Sequence, residues 1–454
     1  MPEKTIAAIS TPKGRGGIAV IRISGEKALE IADKCFLSFS GKKLADQKGY
    51  TALYGKVTDA ENEEIDEAVA LVFRAPHSFT GENTVELSVH GGMLSAEETL
   101  KRTLECGAVL AMPGEFSKRA FLNGKMDLAQ AESIAALINA ETKQALRQSI
   151  SVKTGGISKE IEKITDKLLE TAACFAAYSD FPDEDIEQLR PENFISLLND
   201  TKSELLKLLN GFENGRIIRE GIDCAIVGKP NVGKSTLMNM LSRTERSIVT
   251  NIAGTTRDIV EDRINLNGIV LNLADTAGIR ETEDEVEKVG VIKAKQKKET
   301  AALVLAVFDS STALDSDDIS LLSSLDSENT VIVLNKSDLG NKIESKDFEG
   351  FSCVLISAQE NEGADELKKA IEKILNINES DLSGAALITV RQKDCAKRAL
   401  SAVNEAIAAF NGGVTLDAVA VIIDDAVSAL LELTGKRVTN EVADEVFKRF
   451  CIGK

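Results

Sequence analysis

Tryptophan is absent from this chain of 454 residues, histidine occurs twice, and aromatic residues make up 4% of it. Stacking platforms for unpaired bases are therefore scarce. His77 and His90 are too few for a histidine-built metal centre. His90 ends the run "VELSVHGG", where a structural or polar-contact role is expected of it rather than catalysis. The seven cysteines, at 35, 106, 174, 224, 353, 395 and 451, contain no CxxC pair, which argues against a disulfide framework or a zinc site. Long apolar runs are missing too. "AALVLAVF", residues 301–308, falls far short of the ~20 residues that span a bilayer. The start, "MPEKTIAAIS", has no basic stretch followed by an apolar signal core. A cytoplasmic protein without membrane contact is expected. Positive charge is in deficit, 54 Lys and Arg against 72 Asp and Glu, a net charge of −18. That weighs against nucleic acid lying along the whole surface, because phosphates need cations opposite them. Contact with RNA would be local or shared with a partner, and "KAKQKK" (293–298) reads as a solvated helix face.

What is present is the mixture of a soluble globular protein, 43% hydrophobic and 28% charged. The length suggests three domains of ~150 residues. In residues 1–120, "IAVIRIS", "EAVALVFRAP" and "TVELSVHGG" read as strands and "EKALEIADKCF" (26–36) as a helix, with Gly-rich turns between. This is an α/β or α+β unit. Residues 121–215 turn to Ala, Leu, Lys and Glu with apolar positions at threes and fours, which is repeated helix, including one from about 192 to 210. Over 216–377, "IDCAIVG", "IVLNLAD", "AALVLAVFD" and "NTVIVLNKSD" are short apolar runs separated by helical stretches, the mark of buried parallel strands. Residues 378–454 return to helix, over 388–410 and 414–450. The economical arrangement is an α/β domain inserted into an all-α domain whose two halves flank it.

The inserted domain carries the chemistry. "GKPNVGKS", Gly228 to Ser235, fits G-x-x-x-x-G-K-[ST] between the strand "CAIV" and the helix "TLMNML", the context that makes it a phosphate loop. Its backbone N–H groups wrap phosphates, Lys234 reaches the β- and γ-phosphates, and Ser235 offers a hydroxyl to Mg²⁺. Asp275 follows "LNLA", suited to hold Mg²⁺ through water, and Gly278 can give its N–H to the γ-phosphate. "NKSD" (335–338) follows another strand, and Asp338 can accept both N1–H and the exocyclic amine of guanine, a pairing adenine cannot return. "SAQ" (357–359) fits the loop that supports the base. These spaced motifs specify a GTPase. Its nucleotide contacts are expected from Asn231, Val232, Gly233, Lys234, Ser235 and Thr236 in the phosphate loop. Thr250, Asn251, Ile252, Ala253, Gly254, Thr255 and Thr256 form the first switch, with Thr256 a hydroxyl for Mg²⁺ and Thr255 beside it for another cation. Asp275, Thr276, Ala277 and Gly278 complete the phosphate side, and Asn335, Lys336, Asp338, Ser357, Ala358 and Gln359 the base side.

One part is missing. In Ras-type GTPases a glutamine follows the D-T-A-G motif and orients the attacking water, whereas here Ile279 stands next. Arg280, Glu283, Asp284, Glu285 and Glu287 lie within reach, and a carboxylate among them can polarise water. The same acidic run also suits a solvated helix start. The amide oxygen of Asn231 can hold a monovalent cation beside the phosphates in place of an arginine finger.

"GKPNVGKST", "GTTRD", "DIVEDRINLNG", "DTAGIRETEDEVEKVGV" and the terminal "FCIGK" together resemble the tRNA-modifying GTPases of the MnmE (TrmE) family. The resemblance extends through "TPKGRGGIAVIRISG", "SFTGENTVELSVHGG" and "MPGEFSKRAFLNGKMDLAQAE", and so covers the full chain. It implies an N-terminal α/β domain that binds folate and makes a homodimer, an all-α helical domain, and an inserted Ras-like GTPase domain activated by potassium. It implies K⁺ at Asn231, Thr250, Ile252 and Thr255, and Glu287 positioning the hydrolytic water. A tetrahydrofolate derivative, 5-formyl or 5,10-methylene, would meet Arg22, Glu86, Lys125 and Lys454. The implied partner is the flavoprotein MnmG, in a heterotetramer, and the implied substrate is tRNA, modified at carbon 5 of the wobble uridine. Cys451 stands four residues from the end, but Gly453 and Lys454 do not fit prenylation. Cys451 is either a reactive thiol or a buried small apolar group at a helix end. Two other readings stay open: a ribosome-assembly or regulatory GTPase without substrate chemistry, and a folate-dependent one-carbon transferase with another acceptor.

Overall fold

A computed structural model describes residues 4–180, 191–244, 262–266, 269–273, 301–375, 386–448, 450 and 453. The chain divides into two compact units: Met1–Ala135 with Lys153–Leu205 and Thr389–Lys454, and Ala136–Val152 with Leu206–Ile388.

The first unit opens with a seven-stranded sheet. Its strands are β1 (Ile6–Ile9), β2 (Ile18–Ser24), β3 (Phe36–Ser38), β4 (Thr51–Thr58), β5 (Glu64–Phe73), β6 (Thr84–His90) and β7 (Val109–Leu110), in the order β3-β4-β5-β6-β2-β1-β7. All neighbours are antiparallel except β1 and β7. Period-2 alternation sorts the residues. Ala19, Ile21 and Ile23 of β2 go inward, into a core with α1 (Ala28–Cys35) and residues of α2 (Met93–Glu105). The alternate face leaves Ile18, Tyr54 and Val69 exposed by 64%, 54% and 42%. The helix expected over 26–36 stops one residue early, and Phe36 begins β3 instead. That strand comes so close to β4 that a Cβ on Gly55 would lie 2.2 Å from the Leu37 carbonyl oxygen.

His90 takes the polar-contact role. Its Nδ1 lies 2.6 Å from Asp66 Oδ1, and the Ser95 hydroxyl donates to the same carboxylate. Asp66 raises the His90 pKa above its ordinary 6.5. The stability this pair contributes is therefore fully present between pH 3.8 and 6.5; it is lost as pH rises through the folded value of His90 and as pH falls through the lowered value of Asp66. Asp66→Asn should bring the NMR titration midpoint of His90 back down towards 6.5; an unmoved midpoint would show that another group holds the imidazolium.

Helices follow: α3 (Glu115–Leu122), α4 (Leu128–Ile138), α5 (Lys143–Lys153), α6 (Gly156–Asp180) and α7 (Pro191–Glu220). After the second sheet come α11 (Val390–Asn411), α12 (Leu416–Thr434) and α13 (Asn440–Lys448). Phe175 of α6 packs edge-on to Phe194 of α7 at 4.6 Å and stacks on Phe410 of α11 at 6.1 Å. The helix expected over 414–450 is two helices, because Gly435 caps the first at φ 84. Arg391 closes that end. It donates to the carbonyls of Glu432 and Leu433 at 3.0 and 2.9 Å and forks onto the buried Glu132 at 2.8 and 2.9 Å. Among the described residues no helix is long and apolar enough to cross a membrane.

In the second unit, β8 (Ile222–Val227), β9 (Asp262–Leu266), β10 (Ile269–Leu273), β11 (Leu303–Asp309), β12 (Thr330–Asn335) and β13 (Ser352–Leu355) form a sheet in the order β13-β12-β11-β8-β10-β9. Every pairing is parallel except that of the edge strand β9. The apolar runs are buried on both faces, as parallel strands require. Helices α8 (Lys234–Thr244), α9 (Ser316–Ser323) and α10 (Ala364–Ile374) belong to this unit, as do most of α5 and the C-terminal half of α7.

Candidate functional site

In the second unit the carboxyl ends of β8, β12 and β13 carry three of the expected loops on one edge of the sheet, where open α/β sheets bind ligands. The phosphate loop leaves β8 and enters α8. Lys234 Nζ donates to the carbonyls of Gly228 and Lys229 at 2.8 and 2.7 Å. Burial lowers its pKa, and an incoming phosphate would raise it again. Ser235 and Thr236 are exposed at the start of α8. Asn231 is exposed, with a left-handed φ of 65. Lys229 braces the loop through Asp315 and Asp318 at the N-terminus of α9, the latter at 2.8 Å.

The base loop is tied to the phosphate loop by one buried side chain. Asn335 Nδ2 donates to the Val232 carbonyl at 2.9 Å, and its Oδ1 accepts from the Ala358 N–H at 3.0 Å. The fit depends on Gly233, where a Cβ would stand 2.2 Å from Asn335 Nδ2. Ser357 Oγ donates to Asp338 Oδ1 at 2.6 Å and sets the exposed carboxylate towards a base. Lys336 Nζ is 2.6 Å from Asp309 Oδ2. Burial pushes the Asp309 carboxyl up, but Lys336 and Ser311 together hold it below its ordinary 3.8. Asp309 was not among the expected site residues; its signal is an acidic residue closing the apolar run "AVFD" on the ligand edge.

Asn231, Val232, Gly233, Lys234, Ser235 and Thr236 thus share one loop. Asn335, Lys336, Asp338, Ser357, Ala358 and Gln359 line the neighbouring strand ends. Thr250, Asn251, Ile252, Ala253, Gly254, Thr255, Thr256, Asp275, Thr276, Ala277, Gly278, Arg280 and Glu287 lie outside the described residues, as do Cys451 and Lys454.

The first unit brings two expected residues together. Arg22 of β2 and Glu86 of β6 are register partners, and both guanidinium contacts, at 2.8 Å, fall on Oε1 of Glu86. The guanidinium lies 5.5 and 5.6 Å from the rings of Phe79 and Phe116. Lys125 Nζ donates to the Pro76 carbonyl at 3.0 Å. The chain end comes to the same sheet, where Ser10 Oγ donates to the Gly453 carbonyl at 3.1 Å. Among the described residues no group of three His, Cys, Asp or Glu is placed to hold a metal ion.

A family model of the GTP-binding protein TrmE N-terminus matches residues 5–125, and a model of the MnmE helical domain matches residues 128–451. The chain belongs to the MnmE family. A relative from Acetivibrio thermocellus named tRNA modification GTPase MnmE is 42% identical over 100% of this chain and 99% of its own. The Clostridioides difficile protein of the same name is 40% identical over the same shares. Among solved structures, the FeoB G-domain from Methanococcus jannaschii is 27% identical over 34% of this chain and 98% of that one, at a TM-score of 0.26. An N-terminal domain, a helical domain and a P-loop GTPase domain make up the chain, which is a GTP hydrolase.

Proposed function

We propose that this chain is a potassium-activated GTPase that works with the flavoprotein MnmG to add an aminomethyl or carboxymethylaminomethyl group to carbon 5 of the wobble uridine of certain tRNAs. The observation that carries the reading is identity of 42% along the whole length to a relative named as a tRNA modification GTPase. In this reading residues 1–120 bind folate and dimerise, 121–215 and 378–454 form the helical domain, and 216–377 hydrolyse GTP. The exposed apolar face at Ile18, Tyr54 and Val69 supports pairing with a second copy.

Ser235 and Thr256 would hold Mg²⁺. Asn231 fits a monovalent cation: it is exposed, and no described residue bonds its amide oxygen. Together with Thr250, Ile252 and Thr255 it would hold K⁺, which supplies positive charge beside the β- and γ-phosphates. Glu287 orients the water that Ile279 cannot, and Arg280 stands near it in sequence. Asn231→Ala should abolish the stimulation of GTP hydrolysis by potassium and leave GDP affinity unchanged. Equal wild-type turnover in sodium and potassium would refute this assignment.

The Arg22–Glu86 pair fits a pterin. Both contacts of Arg22 use Oε1, so Oε2 of Glu86 is left to accept an N–H donor. Lys125 and Lys454 suit the anionic glutamate tail of folate, which supplies a one-carbon unit when bound. Nucleoside mass spectrometry of tRNA from cells lacking the protein tests the whole reading. Loss of the carbon-5 aminomethyl-type group at wobble uridine, restored by the gene, is expected. An unchanged profile would leave a GTPase with another client.

A further inference from the structure

The phosphate loop carries a second lysine besides Lys234. Lys229 stands where the chain leaves β8, next to Gly228. The sheet order sets β11 beside β8, so the segment after β11 runs alongside this loop. The approach is close: a Cβ on Gly228 would stand 2.4 Å from the Val307 carbonyl oxygen. From Asp309 to Asp318 that segment meets both nucleotide loops through aspartate–lysine contacts. Asp309 holds Lys336 of the base loop at 2.6 Å. Asp315 and Asp318 hold Lys229 of the phosphate loop, Asp318 at 2.8 Å. Helix α9 fixes both of these carboxylates. Asp315 is its N-cap, and Oδ1 accepts the N–H groups of Asp317 and Asp318 at 3.0 and 3.1 Å. Asp318 Oδ2 accepts the Asp315 N–H at 3.2 Å and closes a capping box. Asp318 is 6% exposed. The Lys229 ammonium therefore sits on a frame set by helix geometry, not on freely moving surface carboxylates. At its main chain, the Lys229 carbonyl accepts from Lys234 Nζ at 2.7 Å. One residue thus joins α9 to the ammonium that meets the phosphates.

We propose that Lys229 is a positioning residue for GTP: docked on Asp315 and Asp318, it holds the phosphate loop in shape before the nucleotide arrives. The inference rests on GTP hydrolysis by this chain, whatever its client. A loop already in shape loses less freedom when ligand binds, so the brace strengthens binding. It acts alike on the bound ground state and the transition state, and so lowers KM without changing kcat. Its own charge is not what the phosphates feel, because two carboxylates lie against one ammonium. The hydrogen bonds to Asp315 and Asp318 raise the Lys229 pKa above its ordinary 10.5, and Lys229 in turn lowers Asp315 below 3.8, so the contact stays ionised at neutral pH. If Lys229 acted as a free cation, removing Asp318 would tighten nucleotide binding. Acting as a docked brace, it binds nucleotide more weakly once Asp318 is gone.

The test compares GTP turnover and the affinity for a fluorescent GDP in variants of the full chain. Lys229→Met should raise the KM for GTP and the Kd for GDP about 10-fold, with kcat held within about twofold. Lys229→Arg, whose fork can reach both carboxylates, should restore both to within about twofold of wild type. Asp318→Ala should weaken GDP as Lys229→Met does. Asp315→Ala, at the more exposed of the two carboxylates, should do the same with less disturbance of the fold. Lys346→Met, which breaks an exposed ion pair with Glu344 in the same unit, should change neither constant. Unchanged KM and Kd in Lys229→Met overturn the proposal, as does a fall in kcat alone or tighter GDP binding by Asp318→Ala. A wild-type chain that bound no GDP would overturn the GTPase reading and this inference with it, whereas normal wild-type binding with indifferent variants removes the brace alone.

Discussion

Asp338→Asn is expected to weaken GTP binding by ~100-fold or more and to admit xanthosine triphosphate in its place. Guanine presents two N–H donors to this position, and a carboxylate accepts both. An asparagine amide would turn its own NH₂ against the exocyclic amine, donor facing donor. Xanthine has an oxygen at that carbon and suits the amide. The hydroxyl of Ser357, 2.6 Å from Oδ1, holds the group in place whichever residue stands there, so the change is one of hydrogen-bond polarity. Competition of the two nucleotides against a fluorescent GDP measures it. A loss below ~10-fold, or no gain for xanthosine triphosphate, would mean that the base is not read at Asp338.

Glu132→Ala should be the most damaging single change in the helical part, costing ~3–5 kcal/mol because it leaves a largely buried guanidinium unpaired. Glu132 is 7% exposed and takes both prongs of Arg391 and the Gln392 amide at 2.6 Å. Without it, Arg391 keeps the two carbonyls of the last turn of α12 but has no counter-charge. Hydrogen exchange along α12 reads the loss most directly. Glu132→Leu combined with Arg391→Met should recover most of the protection, since apolar replacement of both partners removes the buried charge together with its partner. If the double variant is as weak as the single one, the carbonyl contacts of Arg391 matter more than the ion pair.

The parallel sheet was legible in the sequence because strands buried on both faces are written as continuous apolar runs, and β8, β10, β11 and β12 each match one. The N-terminal sheet was legible in part. Strands β2, β5 and β6 alternate clearly, but β4 carries Gly55 and Lys56 where a strand pattern wants bulk, and the reason is a neighbour many residues away. Likewise nothing local in 414–450 outweighs its helical periodicity except Gly435, a residue that helices also tolerate. At the site, the loop after β11 that carries Asp309 was not visible as a motif, but the phosphate loop and both base loops were. The ties between loops were not. Asn335 on Val232, Ser357 on Asp338 and Lys336 on Asp309 each join residues that only the sheet order brings together.

The buried Asn335 amide has a consequence for how ligands are measured. By holding Val232 at one end and Ala358 at the other, it fixes the spacing between the place for phosphates and the place for the base. The site is therefore a caliper of set span. A nucleoside or a pyrophosphate alone fills one jaw, whereas a guanine nucleotide of the right reach fills both without paying again to bring the jaws into register. Fragments should then bind far more weakly than half the logarithm of the whole, and lengthening the ribose–phosphate tether by a single methylene should cost almost as much as removing one end.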